Sequence, residues 1–128
     1  MSNKQVVKSH QIRAGITIYR AQIIGGYVET IRVASKPYIV NLGTKDLAMF
    51  ADEFCFSDIS DLRYKTNFSL KDAGIIPNRY NMAKTFHSHK AAQRYLDEVV
   101  KSSEYETLMK RHNQFIADMD DLDYEYES

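Results

Sequence analysis

Ile16-Thr17-Ile18-Tyr19-Arg20-Ala21-Gln22-Ile23-Ile24-Gly25-Gly26-Tyr27-Val28-Glu29-Thr30-Ile31-Arg32-Val33 decides the fold. β-Branched and aromatic residues fill both halves, which suits a pleated, half-buried surface. Gly25-Gly26 between them can supply the positive φ of a two-residue primed turn, so the stretch predicts a β-hairpin. That loop length pairs Ile24 with Tyr27, Gln22 with Glu29, Arg20 with Ile31 and Ile18 with Val33. One face then carries Ile16, Ile18, Ile31 and Val33 near the open end, with Gln22 and Glu29 near the turn. The other carries Tyr19, Ala21, Ile23 and Val28, with Arg32 among them. Neither face is purely polar, so the base of the hairpin is expected to be covered and its tip to reach solvent.

Working outward, residues 1–11 are polar apart from Val6 and Val7 and read as a flexible arm or a short edge strand. Lys36-Pro37-Tyr38-Ile39-Val40 continues or restarts the second strand, with Pro37 suited to an edge or bulge. Thr44 as N-cap, Asp46 in the first turn and Leu47, Phe50, Ala51 and Phe54 at helical spacing predict a helix near 45–55. Leu62 to Phe68 alternates like a strand. Ser69-Leu70-Lys71-Asp72-Ala73-Gly74 reads as one helical turn closed by glycine, and Ile75-Ile76-Pro77-Asn78 as an extended piece. Ser88 caps a helix over 89–101 with Ala91, Ala92, Tyr95, Leu96 and Val99 on one face. Ser103 and Glu106 form a capping box that starts another over 104–117. Its stripe is Tyr105, Leu108, Met109, His112, Phe115 and Ile116. The architecture predicted is α+β: a small antiparallel sheet begun by the hairpin and covered on one face by two to three helices. Residues 1–117 form one domain and 118–128 an acidic C-terminal tail.

Charge is distributed unevenly. The 128 residues hold 17 basic and 17 acidic side chains, a formal net charge of zero. Six acids, Asp118, Asp120, Asp121, Asp123, Glu125 and Glu127, fall in the last eleven positions, which hold no Lys or Arg. Residues 1–117 therefore carry 17 bases against 11 acids, +6, and the tail −6. A basic body with an acidic tip suits a polyanion, a basic partner or a second copy of itself. Aspartate density opposes a helix C-terminus, so the last helix is expected to fray after Ala117 and the tail to leave the body. Within the tail, Met119, Leu122, Tyr124 and Tyr126 alternate with the acids. Asp120, Asp121, Leu122, Asp123, Tyr124, Glu125 and Tyr126 are the candidate partner-binding residues, as a docking motif or as a charge mimic. Plain solvation is the bland alternative.

Several function classes find little support. The single Cys55, in an apolar setting, allows no intrachain disulfide and reads as buried and inert. No apolar run approaches ~18 residues, so no membrane span is expected. Met1-Ser2-Asn3-Lys4-Gln5 lacks the apolar core of a secretory signal. His87-Ser88-His89 offers two potential metal ligands where three or four are needed, and Ser88 as a cap would make them straddle a bend. No nucleophile elbow, zinc-protease motif or phosphate-cradling loop is present, and Gly25-Gly26 leads into a strand rather than a helix. The expectation is a protein that is not an enzyme, with no catalytic residues, cofactor or metal; His87, His89 and Tyr80 would be the best residues of an enzyme. A nucleic-acid surface is the alternative. Arg63, Lys65, Arg79, Tyr80, Lys84, Lys90 and Arg94 combine phosphate-binding cations with a stacking aromatic. The acidic tail would then compete with nucleic acid for the body.

Two segments carry a resemblance. Gly25 to Val33 with Lys36-Pro37-Tyr38 is one; Gly74 to Asn81 leading into Lys84-Thr85-Phe86-His87-Ser88-His89-Lys90-Ala91-Ala92-Gln93-Arg94-Tyr95 is the other. Together they resemble small accessory proteins of tailed bacteriophages, most without an assigned function. The resemblance implies a protein made in the cytoplasm of an infected bacterium, where it binds, or binds and inhibits, a host or phage protein, in host takeover or anti-defence. A small virion or assembly component is the remaining alternative.

Overall fold

The computed structural model describes residues 5–76 and 81–127, with side chains to residue 119. Its centre is a six-stranded antiparallel sheet formed by β1 (Thr17–Gln22), β2 (Tyr27–Val33), β3 (Tyr38–Asn41), β4 (Asp46–Ser57), β5 (Asn67–Ser69) and β6 (Lys84–Phe86). The order is β3-β4-β2-β1-β6, with β5 also pairing on β4. Two helices follow, α1 (His89–Val99) and α2 (Ser103–Glu127). The fold is α+β, as the alternating segments indicate.

The hairpin forms with a different loop. Gln22 pairs with Tyr27, Arg20 with Glu29 and Ile18 with Ile31, so residues 23–26 make a four-residue connection. Of its two glycines only Gly26 has positive φ, at 77°, and its N–H donates to the Gln22 carbonyl at 2.9 Å. A Cβ on Gly25 would lie 2.3 Å from the Tyr27 ring. The register moves by two residues, and a two-residue shift keeps every side chain on its face. Ile18, Ile31 and Val33 therefore share one core with Phe50, Cys55, Phe68, Leu70 and Ala73. Ala21, Ile23 and Val28 share the other with Phe86, α1 and Leu108 of α2.

Residues 45–55 are a strand and not the expected helix. Thr44 lies in the loop joining β3 to β4, where Gly43 has φ 91° and the Leu42 N–H donates to the Lys45 carbonyl. The pairing of β4 with β2 slips where Arg32 faces Phe54 but Val33 faces Asp52, which leaves Glu53 as the extra residue of a bulge. Phe50 and Cys55 then fall in the same core although five residues apart. The bulge breaks the period of two, and the broken alternation imitates helical spacing.

The two sheet faces are covered differently, and both helices pack on the same one, as expected. α1 covers one face with Ala91, Ala92, Leu96 and Val99 buried. Ser88 caps it, accepting from the Ala91 N–H. The other face lies under residues 58–76 and the N-terminal segment. The expected turn at 69–74 is present: the Ala73 N–H donates to the Ser69 carbonyl and Gly74 has φ 73°. Any Cβ there would lie 1.7 Å from the Ala83 carbonyl oxygen. The described part of the N-terminus forms no strand of its own but runs along the β6 edge, followed by a 3-10 turn at Ser9–Gln11. Val6 bridges to Phe86, the Val7 N–H donates to the Thr85 carbonyl, and Val7 and Ile12 are buried.

α2 departs from expectation twice. Its cap is Ser102, whose hydroxyl accepts from the Tyr105 N–H at 3.1 Å, in place of Ser103. It also runs to Glu127 instead of ending near Ala117, so 118–127 is helix and not a tail that leaves it. Residues 118–127 contain no Gly or Pro to stop it. Like charges at i, i+4 cost only about 0.2–0.5 kcal/mol per pair, a weak opposition to a helix that meets no stop residue.

Candidate functional site

The most polar buried cluster lies on the sheet face away from α1. Arg20 Nε donates to Glu29 Oε1 at 2.7 Å, and the two form an ion pair with Glu29 almost wholly buried. The Tyr64 hydroxyl donates to the other Glu29 oxygen at 2.8 Å. Arg20 also reaches the Asp72 carbonyl and lies 5.2 Å from the centre of the Phe68 ring. Backbone bonds in both directions tie Tyr64 to Cys55, and buried Asp52 accepts from the Thr66 N–H. Burial pushes the Cys55 thiol up to about 11, which keeps it a thiol at neutral pH and a poor nucleophile. Burial, then the hydrogen bonds to Cys55 and Glu29, raise the Tyr64 phenol. Glu29 has both oxygens engaged, so the cluster clamps residues 58–72 to the sheet. Among the described residues no buried side-chain N or O lacks a partner.

The histidine pair diverges. His87 Nε2 lies 2.9 Å from Gln11 Oε1, whereas His89 Nε2 lies 2.9 Å from Asp58 and its ring meets Tyr19 edge to face. Among the described residues no group of three His, Cys, Asp or Glu is placed to hold a metal.

The candidate nucleic-acid residues sit on three elements. Arg63 packs over Phe54 and Phe56, its guanidinium 4.8 and 5.1 Å from their ring centres. Lys65 is exposed on the loop before β5. Lys90 and Arg94 line a shallow cleft of about 600 Å³ on α1 with His89, Gln93 and Asp97. Lys84 on β6 lies 5.3 Å from the Tyr95 ring centre, beside a different hollow. Arg79 and Tyr80 lie outside the described residues.

That hollow is a groove of about 1060 Å³ at the base of α2. Its apolar lining includes Val6, Ile75, Met82 and Tyr95; its charged rim is Lys8, Lys84, Arg111 and Glu104. Tyr95 donates to the Met82 carbonyl, and Met82 has φ 55°, an uncommon conformation for a residue other than glycine. Among the described residues no ion pair engages Lys8, Lys84 or Arg111. Sequence reasoning did not find this groove. Its lining comes from five separate stretches of chain, none with a local motif.

α2 itself is the other open surface. Leu108 is its only buried residue among those with described side chains. Further along, Phe115, Ile116 and Met119 are 63%, 44% and 48% exposed. Helical register aligns positions 105, 108, 112, 115, 119, 122 and 126, a spacing alternating three and four. Of the candidate partner-binding residues, Leu122 and Tyr126 hold seam positions, Tyr124 does not, and the four acids flank it. Their side chains lie outside the described set.

The model of the Phage g100-like protein family matches residues 6–99. The match spans the sheet and α1, and α2 lies beyond it. No match was found among curated proteins or solved structures.

Proposed function

The chain belongs to the Phage g100-like protein family, and from that premise we propose that it is a non-catalytic binding protein acting inside the infected bacterium. Its docking element is the seam and acidic end of α2, and its partner is a host or phage protein with a basic, apolar groove. The observation that carries this reading is a 25-residue helix that buries Leu108 and then exposes Phe115 and Met119. An apolar stripe on a helix commonly serves groove recognition, with anchors at i, i+3, i+4 and i+7. The acids add charge complementarity, which speeds encounter and selects a basic partner. Nothing in this arrangement requires a membrane, and no helix among the described residues is long and apolar enough to cross one.

The test is capture from infected cells with a tagged full-length chain. The wild type is expected to bring down a stoichiometric partner. Leu122→Ser/Tyr126→Ser is expected to lose it while keeping the circular dichroism spectrum of a folded chain, and Tyr124→Ser to keep it. Undiminished capture by the double variant removes α2 as the docking element. Salt-sensitive retention on nucleic acid, abolished by reversing Arg63, Lys90 and Arg94 but not by the double variant, would favour the nucleic-acid reading.

A further inference from the structure

We propose that the groove at the base of α2 receives the distal half of α2 from a second copy of this chain, in a reciprocal antiparallel dimer. This rests on the reading of that segment as a docking element and names what occupies it when the partner is absent. Three observations converge. The groove is apolar, with Lys8, Lys84 and Arg111 on its rim, unpaired by any acid among the described residues. The segment 115–127 is apolar along its seam and carries six acids and no base. The same chain cannot join the two, because α2 starts at the groove and runs on as one helix. At 1.5 Å per residue, position 122 lies roughly 22 Å along the axis from Thr107 at the groove.

A second copy removes that obstacle. Two α2 helices laid antiparallel bring the distal half of each to the groove of the other. The contact is isologous, so it closes at two copies and does not propagate. Charge selects this orientation: a parallel pairing would set acid against acid, whereas the antiparallel one sets acids against Lys8, Lys84 and Arg111. The dimer would cover Phe115 and Met119 and hide the docking segment until a partner with a stronger claim competes for it.

The experiment measures mass in solution by light scattering on the full-length chain, with circular dichroism to confirm that each variant is folded. Wild type is expected at twice 14.8 kDa. Lys8→Glu/Lys84→Glu/Arg111→Glu, which reverses the groove, is expected to be monomeric. So is Asp118→Lys/Asp120→Lys/Asp121→Lys/Asp123→Lys/Glu125→Lys, which reverses the segment. Mixed together, the two are expected to pair, since each then offers the complement of the other. A monomeric wild type, a dimer that survives groove reversal, or a failure of the mixture to pair would overturn the proposal. Leu122→Ser/Tyr126→Ser provides a second route to the monomer without altering charge. Partner capture by the groove-reversed variant separates the two claims: if capture persists, the docking reading stands whatever the mass of the wild type.

Discussion

α1 and α2 both show apolar residues at helical spacing, yet they meet opposite fates. α1 has eleven residues and buries four of them against the sheet. α2 has twenty-five, and beyond Leu108 its Phe115, Ile116 and Met119 are exposed. The difference lies in what each helix runs beside. α1 lies across β1, β2 and β6, whose Ala21, Val28 and Phe86 are apolar. α2 starts at the edge of that core and passes beyond it. An amphipathic stripe states that a face needs covering, and the neighbouring chain determines whether the protein covers it or leaves it for a partner.

The comparison is sharpened most by damage to the body that anchors both helices. Glu29→Ala leaves Arg20, 11% exposed, without its carboxylate and frees the Tyr64 hydroxyl. Stability in urea is expected to fall by about 3–5 kcal/mol, the range for removing one partner of a buried ion pair. A fall no larger than that of a surface substitution would mean the clamp is dispensable.

Next come the buried members of the two helices. Leu96→Ala in α1 and Leu108→Ala in α2 are each expected to cost on the order of 2–5 kcal/mol, since both are nearly fully buried. Phe115→Ala, seven residues on from Leu108, is expected to change stability by no more than about 0.5 kcal/mol when made in the monomeric Lys8→Glu/Lys84→Glu/Arg111→Glu background, where no second copy covers it. Equal costs at Leu108 and Phe115 would erase the division of α2 into a packed half and a presented half.

The smallest effect depends on pH. Burial holds the Asp52 carboxyl above the usual carboxylate range, against the lowering influence of the Thr66 N–H. A carboxyl raised by folding binds its proton more tightly in the folded state. Its ionisation therefore costs stability at neutral pH, and that cost disappears as pH falls through the folded value. Asp52→Asn is expected to compare more favourably with wild type at pH 7 than at pH 3, measured by melting temperature. An Asp52→Asn variant that compares more favourably with wild type at pH 3 than at pH 7 would reverse the assignment.

Much of the body was legible because local chemistry and tertiary outcome agree there. Ser88 followed by Ala91, Ala92, Leu96 and Val99 reads as a capped helix with one buried face, and is one. Gly74 closes its turn at positive φ as the composition implies. The hairpin kept its faces despite a wrong register, because a shift of two residues conserves them. β4 was misread because the bulge at Glu53 replaced alternation by a spacing that helices also produce. The groove was invisible because its lining spans residues 6 to 111 and no segment alone carries its pattern. The end of α2 was misjudged because charge density was weighed above the absence of any stop residue.

By itself the sequence determined an α+β chain, a hairpin with two apolar faces, a capped α1 and an end loaded with six acids, because periodicity, capping and charge count are properties of neighbouring residues. Only the tertiary structure decided that Arg20 meets Glu29, that residues 46–57 extend as a strand, and that α2 leaves the core with Phe115 and Met119 uncovered. Those outcomes depend on which distant surfaces meet, and a strand register or the reach of a helix beyond a sheet edge is written in no single segment.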